Sequence, residues 1–374
     1  MSRLKDRLIA RIKAEGPLNV AEYMTLCLLD PEDGFYPTRD PLGKEGDFIT
    51  APEISQMFGE LIGIWCLQTW LDMGQPKRVQ LIEIGPGRGI MMADILRAAR
   101  LDKDFIKAVR VTLIEASSAL EAVQAKTLAD APCMVTWAPH LHRVADGPSI
   151  IIGNEFLDCL PIRQFIQKDR FAGAAGWQER MVTYDNDQFQ FALSPAAISE
   201  MLQSTLPAAQ IEAKNGDLLE ICPASAQILD QIKSRFEKNE GRALFIDYGP
   251  AETEFGDTLQ ALKRHEKVGV FSDPGNTDLT ARVDFAALSQ AARAIDLTVT
   301  RPVEQREFLS KLGLEMRALT LSRAAPDSKA KIGRQLHRLT DSEEMGALFK
   351  AICFQSDDMP VPMGFNEIIN DTPP

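Results

Sequence analysis

The sequence predicts an α/β protein: a doubly wound, mostly parallel, Rossmann-like sheet with a helical region before it and an antiparallel/helical lobe inserted within it. Three observations carry this expectation. From residue 78 onward, short apolar runs alternate with amphipathic stretches, as in a parallel sheet whose crossover helices cover both faces. One run is Ile150-Ile151-Ile152, fit for a strand buried on both sides. Another ends at Glu83 and opens into Gly85, Gly87 and Gly89 before a helical stretch, a turn by which such sheets receive a nucleotide.

In chain order, residues 1–30 keep a helical period through Leu4, Leu8 and Ile12, then Val20, Met24 and Cys27, broken at Gly16-Pro17. A glycine- and proline-rich loop runs from Gly34 to Pro52 and enters a helix carrying Met57, Leu61, Ile64, Trp65 and Leu67. A loop of that length is more often functional than idle. Strands are expected over 78–85, 109–115, 134–138 and 149–153, with helices over 90–99 and 118–128. Residues 178–184 and 188–193 flank Asp185-Asn186-Asp187 as a hairpin, followed by a short helix over 196–206. The parallel pattern resumes with a helix over 224–239 and a strand over 243–248. Residues 259–265 and 275–284 read as loops, 285–294 as a helix, 297–301 as a strand and 304–312 as a helix near the sheet edge. These elements divide the chain into N-terminal helices with a covering loop (1–75), a core (76–161 and 221–325), an inserted substrate or partner lobe (162–220) and a C-terminal extension (326–374).

Among 374 residues, 45% are hydrophobic and 25% charged, enough to bury a core without staples. The net charge of −12 opposes phosphate backbones and anionic lipid, which argues against nucleic-acid binding and suits a basic partner. Acidity kept for solubility is the commoner cause of such a balance. Six scattered cysteines form no CxxC pair and indicate a reduced compartment. His140 and His142 are the nearest approach to a metal pair, but no cysteine joins them; a solvated loop without metal is expected. The first residues lack the apolar core of a signal peptide, and no stretch reaches membrane-spanning length. A cytoplasmic protein without membrane insertion is the expectation.

The glycine spacing discriminates between cofactors. A dinucleotide turn reads GxGxxG, whereas here the third glycine comes one residue early and position 90 is isoleucine. Glu83, two residues before the first glycine, would repel a pyrophosphate but pairs with the α-ammonium of S-adenosylmethionine, which carries no phosphate. Glu115, at the end of the next strand, can accept bonds from both ribose hydroxyls; a solvated strand end is the plainer alternative. Asn154 and Glu155 follow the isoleucine strand, where ligands of open α/β sheets sit. Asn154 or Asp158 as a helix cap is the competing explanation there. Asp247-Tyr248-Gly249 ends the next strong strand, with a site-facing and a turn role equally open.

These residues resemble the MidA-like methyltransferases. The resemblance runs over most of the chain and rests on blocks in one order: Gly46-Asp-Phe-Ile-Thr-Ala-Pro-Glu-Ile-Ser55, Glu83-Ile-Gly-Pro-Gly-Arg-Gly89, Met92-Ala-Asp-Ile-Leu96, Asn154-Glu-Phe-Leu-Asp158, Asp247-Tyr-Gly249, Asp257-Thr-Leu-Gln-Ala-Leu262 and Asp278-Leu-Thr-Ala-Arg-Val-Asp-Phe285. Two departures stand out: Ile90 replaces a small polar residue, and Arg282 stands where the family often has histidine. The resemblance implies a seven-strand-type methyltransferase core that uses S-adenosylmethionine. For the mitochondrial members it implies symmetric dimethylation of an arginine in a complex I subunit.

On that basis Glu83, Gly85, Gly87, Gly89, Glu115 and Asn154 are expected to hold the cofactor. Residues 46–55 would cover it, with Thr50 and Ser55 contributing. Glu155 is the first choice to grip and orient an acceptor guanidinium, with Asp158 and Asp284 as weaker candidates. Two other classes compete: an assembly factor that binds the cofactor and a partner with little turnover, and an NAD-dependent oxidoreductase, which the glycine spacing disfavours.

Overall fold

The computed structural model describes residues 3–38, 50–168, 176–263 and 266–369. At its centre is an eight-stranded sheet whose strands, in chain order, are β1 (Val79–Ile84), β2 (Val109–Ile114), β3 (Val135–Ala138), β4 (Ser149–Asn154), β5 (Gly241–Tyr248), β6 (Thr298–Val299), β7 (Val303–Glu304) and β8 (Phe349–Gln355). They lie in the order β6-β8-β5-β4-β1-β2-β3, with β7 also paired to β8. Strands β1 to β5 run parallel, and β8 runs against β5.

Side-chain alternation explains why both faces are covered. Leu81, Ile150, Ile152, Leu244 and Ile246 enter one core with helices Gln56–Asp72 and Ile90–Ala99. Ile82, Ile84, Ile151, Ala243 and Phe245 enter the other with Pro223–Phe236 and Phe285–Ala294. The first two helices cross closely at Gly59, where a Cβ would meet the Asp94 Cβ at 2.6 Å. After β3 the chain returns across β1 to form β4. Strand order therefore reverses between β1 and β4, the place where open α/β sheets bind ligands.

The expected parallel strands and their helices are present, within a few residues of the expected ends. The hairpin also forms: Asn186 (φ +48°) and Asp187 (φ +62°) make a two-residue turn between Gly176–Asp185 and Gln188–Leu193, a turn matching the strands' twist. Three regions differ from expectation. Only Glu200–Gln203 of the expected 196–206 helix is α-helical, starting where Ser199 caps Leu202 N–H. Residues 259–265 and 275–284 are not merely loops, because Gln260–Lys263, Glu266–Val268 and Asp278–Thr280 form a small antiparallel sheet. The stretch 326–374 is not simply an extension, because β8 completes the central sheet beside β5.

The lobe sheet carries Leu18–Asn19 as one strand, with Leu18 opposite Val182. Leu4, Leu8 and Tyr23 consequently share a core with Val182, Phe189, Ala261 and Leu279, so boundaries at 75 and 162 do not separate hydrophobic cores. Among the described residues, no helix is long and apolar enough to cross a membrane.

Candidate active site

β1 ends with Glu83 buried at 1% exposure. The chain then turns through Gly85, Gly87 and Gly89 at φ +66°, +53° and +78°, conformations that side chains resist. At Gly85 a Cβ would also sit 3.1 Å from the Phe156 ring. Gly89 caps helix Ile90–Ala99 without a side chain to occupy its first N–H groups, which leaves them available to a ligand. Glu83 Oε2 is buried with no hydrogen-bond partner, and burial pushes its carboxyl up to about 8. An orphan acceptor at this depth calls for a donor from a ligand. A cavity of about 700 Å³ lies over the turn, with Glu83, Gly85, Gly87, Glu115, Asn154 and Glu155 in its wall. That volume is ordinary for a small-molecule site.

Beyond β2, one oxygen of Glu115 accepts from the N–H groups of Ala116 (2.9 Å) and Ser117 (2.8 Å). The other accepts from Gln124 Nε2 at 2.9 Å. Gln124 is fully buried on helix Ser118–Thr127; it also donates to the Gly87 carbonyl (2.7 Å) and accepts from Trp137 Nε1 (2.8 Å). One side chain thereby joins the glycine turn, the strand-end carboxylate and β3. Burial raises the Glu115 carboxyl, with these hydrogen bonds opposing the shift.

β4 ends at Asn154, 8% exposed, whose Oδ1 has no partner while Nδ2 donates to Glu155 Oε1 at 3.1 Å. The Ala51 N–H donates to the same oxygen at 2.9 Å, tying the site to the N-terminal region. Glu155 adopts φ +50°, a strained conformation for a side-chain-bearing residue and a frequent companion of function. Burial pushes its carboxyl up to about 7. The strain is held by Asp247 at the end of β5. Its Oδ2 accepts from the N–H groups of Phe156 (3.0 Å), Leu157 (2.7 Å) and Asp158 (3.2 Å), and Oδ1 from Tyr248 N–H (2.8 Å). Burial pushes the Asp247 carboxyl up to about 7, with these four hydrogen bonds opposing the shift. Asp158 is then held well above the usual carboxylate range by burial first, then by the charges of Asp247, Asp278 and Glu155.

The expected residues sort unevenly. Glu83, Gly85, Gly87, Glu115, Asn154, Glu155, Asp158 and Thr50 share the cavity wall. Gly89 is absent from that wall and faces Gln124 instead, its contribution being the helix start. Ser55 is corrected to a helix cap, since its buried hydroxyl accepts from Met57 N–H at 3.2 Å. Asp284 is corrected likewise: it caps Phe285–Ala294 through Ala287 N–H (2.8 Å) and borders a separate cavity. Residues 46–49 of the expected cover lie outside the described residues. His140 and His142 are exposed, as expected of a solvated loop, and they stack at 5.3 Å between ring centroids at the edge of this cavity. Gln124 was missed; Asp247, left open between a site-facing and a turn role, holds the turn after β4.

The model of the family described as "Putative S-adenosyl-L-methionine-dependent methyltransferase" matches residues 61–303. The mouse protein named "Protein arginine methyltransferase NDUFAF7, mitochondrial" is 36% identical over 370 residues, covering 91% of this chain and 82% of that protein. The human protein of the same name is 34% identical, covering 91% and 81%. A solved structure, a COG1565 superfamily member from Burkholderia thailandensis bound to S-adenosyl-homocysteine, superposes with a TM-score of 0.81 at 26% identity, covering 96% of this chain and 93% of that one. The expected cytoplasmic location is overturned, because these mammalian relatives are named mitochondrial. The family model matches well over half of the chain, and the glycine turn it spans departs from the dinucleotide pattern: the chain belongs to this family of S-adenosylmethionine-dependent methyltransferases.

Proposed function

We propose that the chain methylates an arginine side chain of a protein, with a respiratory complex I subunit as the acceptor suggested by its family resemblance. One observation carries this reading. The cavity at the strand-order reversal brings orphan acceptors on Glu83 and Asn154 together with the half-buried Glu155 and Asp158, whose carboxyls are both raised. Relatives named as protein arginine methyltransferases support the choice of acceptor. Nothing in that geometry favours a holding protein with little turnover.

The residues present fit S-adenosylmethionine. Glu83 and Asn154 offer oxygens to its α-ammonium, Glu115 offers a carboxylate to its ribose, and the glycine turn admits close approach of the backbone. When bound, S-adenosylmethionine supplies a methyl group already activated on a sulfonium. The protein's task is then positioning, exclusion of water and removal of one proton. A guanidinium that gains a methyl must lose a proton to remain singly charged. Glu155 is suited to accept it, since burial pushes its carboxyl up to about 7, near the pH at which a general base works best. Ala51 N–H and Asn154 Nδ2 fix its Oε1, and the Asp247-held turn fixes its backbone.

The test is Glu155→Gln. Methyl transfer to the acceptor should fall by about 10²-fold or more, while affinity for S-adenosylhomocysteine changes by less than about threefold. A full rate in that variant would remove Glu155 from the reaction.

A further inference from the structure

The reach of Glu155 alone does not account for the other acidic groups around it. Asp278 is 4% exposed at the head of Asp278–Thr280 and lies in the same cavity wall as Glu155 and Asp158. The Tyr36 hydroxyl, also in that wall, donates to Asp278 Oδ1 at 3.0 Å. Two further bonds fix this segment, one to the turn after β4 and one to the end of β5. Ala281 N–H donates to the Asp158 carbonyl at 2.9 Å, and Tyr248, next to Asp247, donates from its hydroxyl to Thr280 Oγ1 at 2.8 Å.

We infer that Asp278, oriented by Tyr36, joins Asp158 in gripping the acceptor guanidinium, an inference that rests on the arginine reading above. A guanidinium presents five N–H donors in one plane. A single carboxylate takes two of them, and a second on another side of the plane decides which nitrogen remains free to react. The charges bearing on the Asp158 carboxyl are Asp247, Asp278 and Glu155, all acidic, so a cationic guest relieves a repulsion that a neutral one leaves in place. Tyr36 comes from the short helix Phe35–Thr38, 242 residues before Asp278 in sequence. The N-terminal region thereby acts in acceptor choice as well as in packing.

The experiment titrates the full-length protein, in the presence of saturating S-adenosylhomocysteine, with Nα-acetyl-arginine amide and with its neutral citrulline counterpart. Wild type should prefer the arginine compound by about tenfold or more. Asp278→Asn, which keeps the size and can still accept from Tyr36, should bring that preference close to one. Tyr36→Phe, which removes only the hydroxyl, should reduce it by about threefold. Neither change should alter S-adenosylhomocysteine affinity by more than about twofold, which also certifies folding. Equal affinities for the two compounds in wild type would overturn the arginine reading, and this inference with it. An undiminished preference in both variants, with wild type discriminating, would overturn the Asp278 assignment alone.

Discussion

Glu83 shows how much one carboxyl can report. It is enclosed by the sheet, its Oε2 is unpartnered, and burial pushes it up to about 8, so at neutral pH it is mostly protonated in the ligand-free protein. An ammonium placed against it demands the charged form, and the proton must leave. Calorimetry of S-adenosylhomocysteine binding at pH 7, in two buffers of different ionisation enthalpy, should therefore show release of roughly one proton. Glu83→Gln should remove most of that release and weaken binding by about tenfold or more. Binding with no buffer dependence would mean that the ammonium lies elsewhere. Glu83 was legible in the sequence because its spacing from Gly85, Gly87 and Gly89 is local chemistry. Ser55 and Asp284 misled for the opposite reason: a short polar residue ahead of a helix looks the same whether it faces a ligand or caps the helix, and here both cap.

At the scale of elements, the site is assembled by groups from separate strands and helices. Gln124 sits on a helix, yet its partners are Glu115, Gly87 and Trp137, the second of them 37 residues away. No periodicity marks such a residue, which is why it was not legible. Gln124→Leu leaves Trp137 Nε1 and the Gly87 carbonyl without these bonds. It should lower stability by about 1–3 kcal/mol, as read from the denaturant midpoint, and weaken S-adenosylhomocysteine binding by about tenfold. Unchanged affinity would show that the glycine turn holds its form without that tie. Strand β8 was hidden for a related reason. Its run Phe349–Gln355 has no local turn to announce a partner, and it pairs with β5 across more than a hundred residues. The hairpin at Asn186-Asp187 was legible because its partner strands adjoin the turn.

For the whole molecule, buried carboxyls set the response to pH. Glu83 at about 8, Glu155 at about 7 and Asp94 at about 6 are all raised by burial. Each therefore binds its proton more tightly folded than unfolded. Their contribution is fully present below the unfolded carboxyl value and is lost as pH rises through the folded one. Asp30, lowered beside Arg7 despite the opposing effect of burial, has the opposite sign and acts only at the acid end, near and below its ordinary value. The Tm of the ligand-free protein should accordingly fall by several degrees between about pH 5 and about pH 8. Saturating S-adenosylhomocysteine should raise the Tm and flatten that fall. A Tm that rises steadily over the interval would mean these groups are charged in the folded state.

The central claim concerns arginine, and mass spectrometry of methylarginine in the respiratory complex I subunits of a deletion strain against its parent tests it most directly. The expected result is one arginine whose methylation is present in the parent, absent in the deletion strain, restored by the wild-type chain and not restored by Glu155→Gln. Identical methylarginine patterns in parent and deletion strain would contradict the complex I assignment, and transfer by the purified protein to a residue other than arginine would contradict the claim itself.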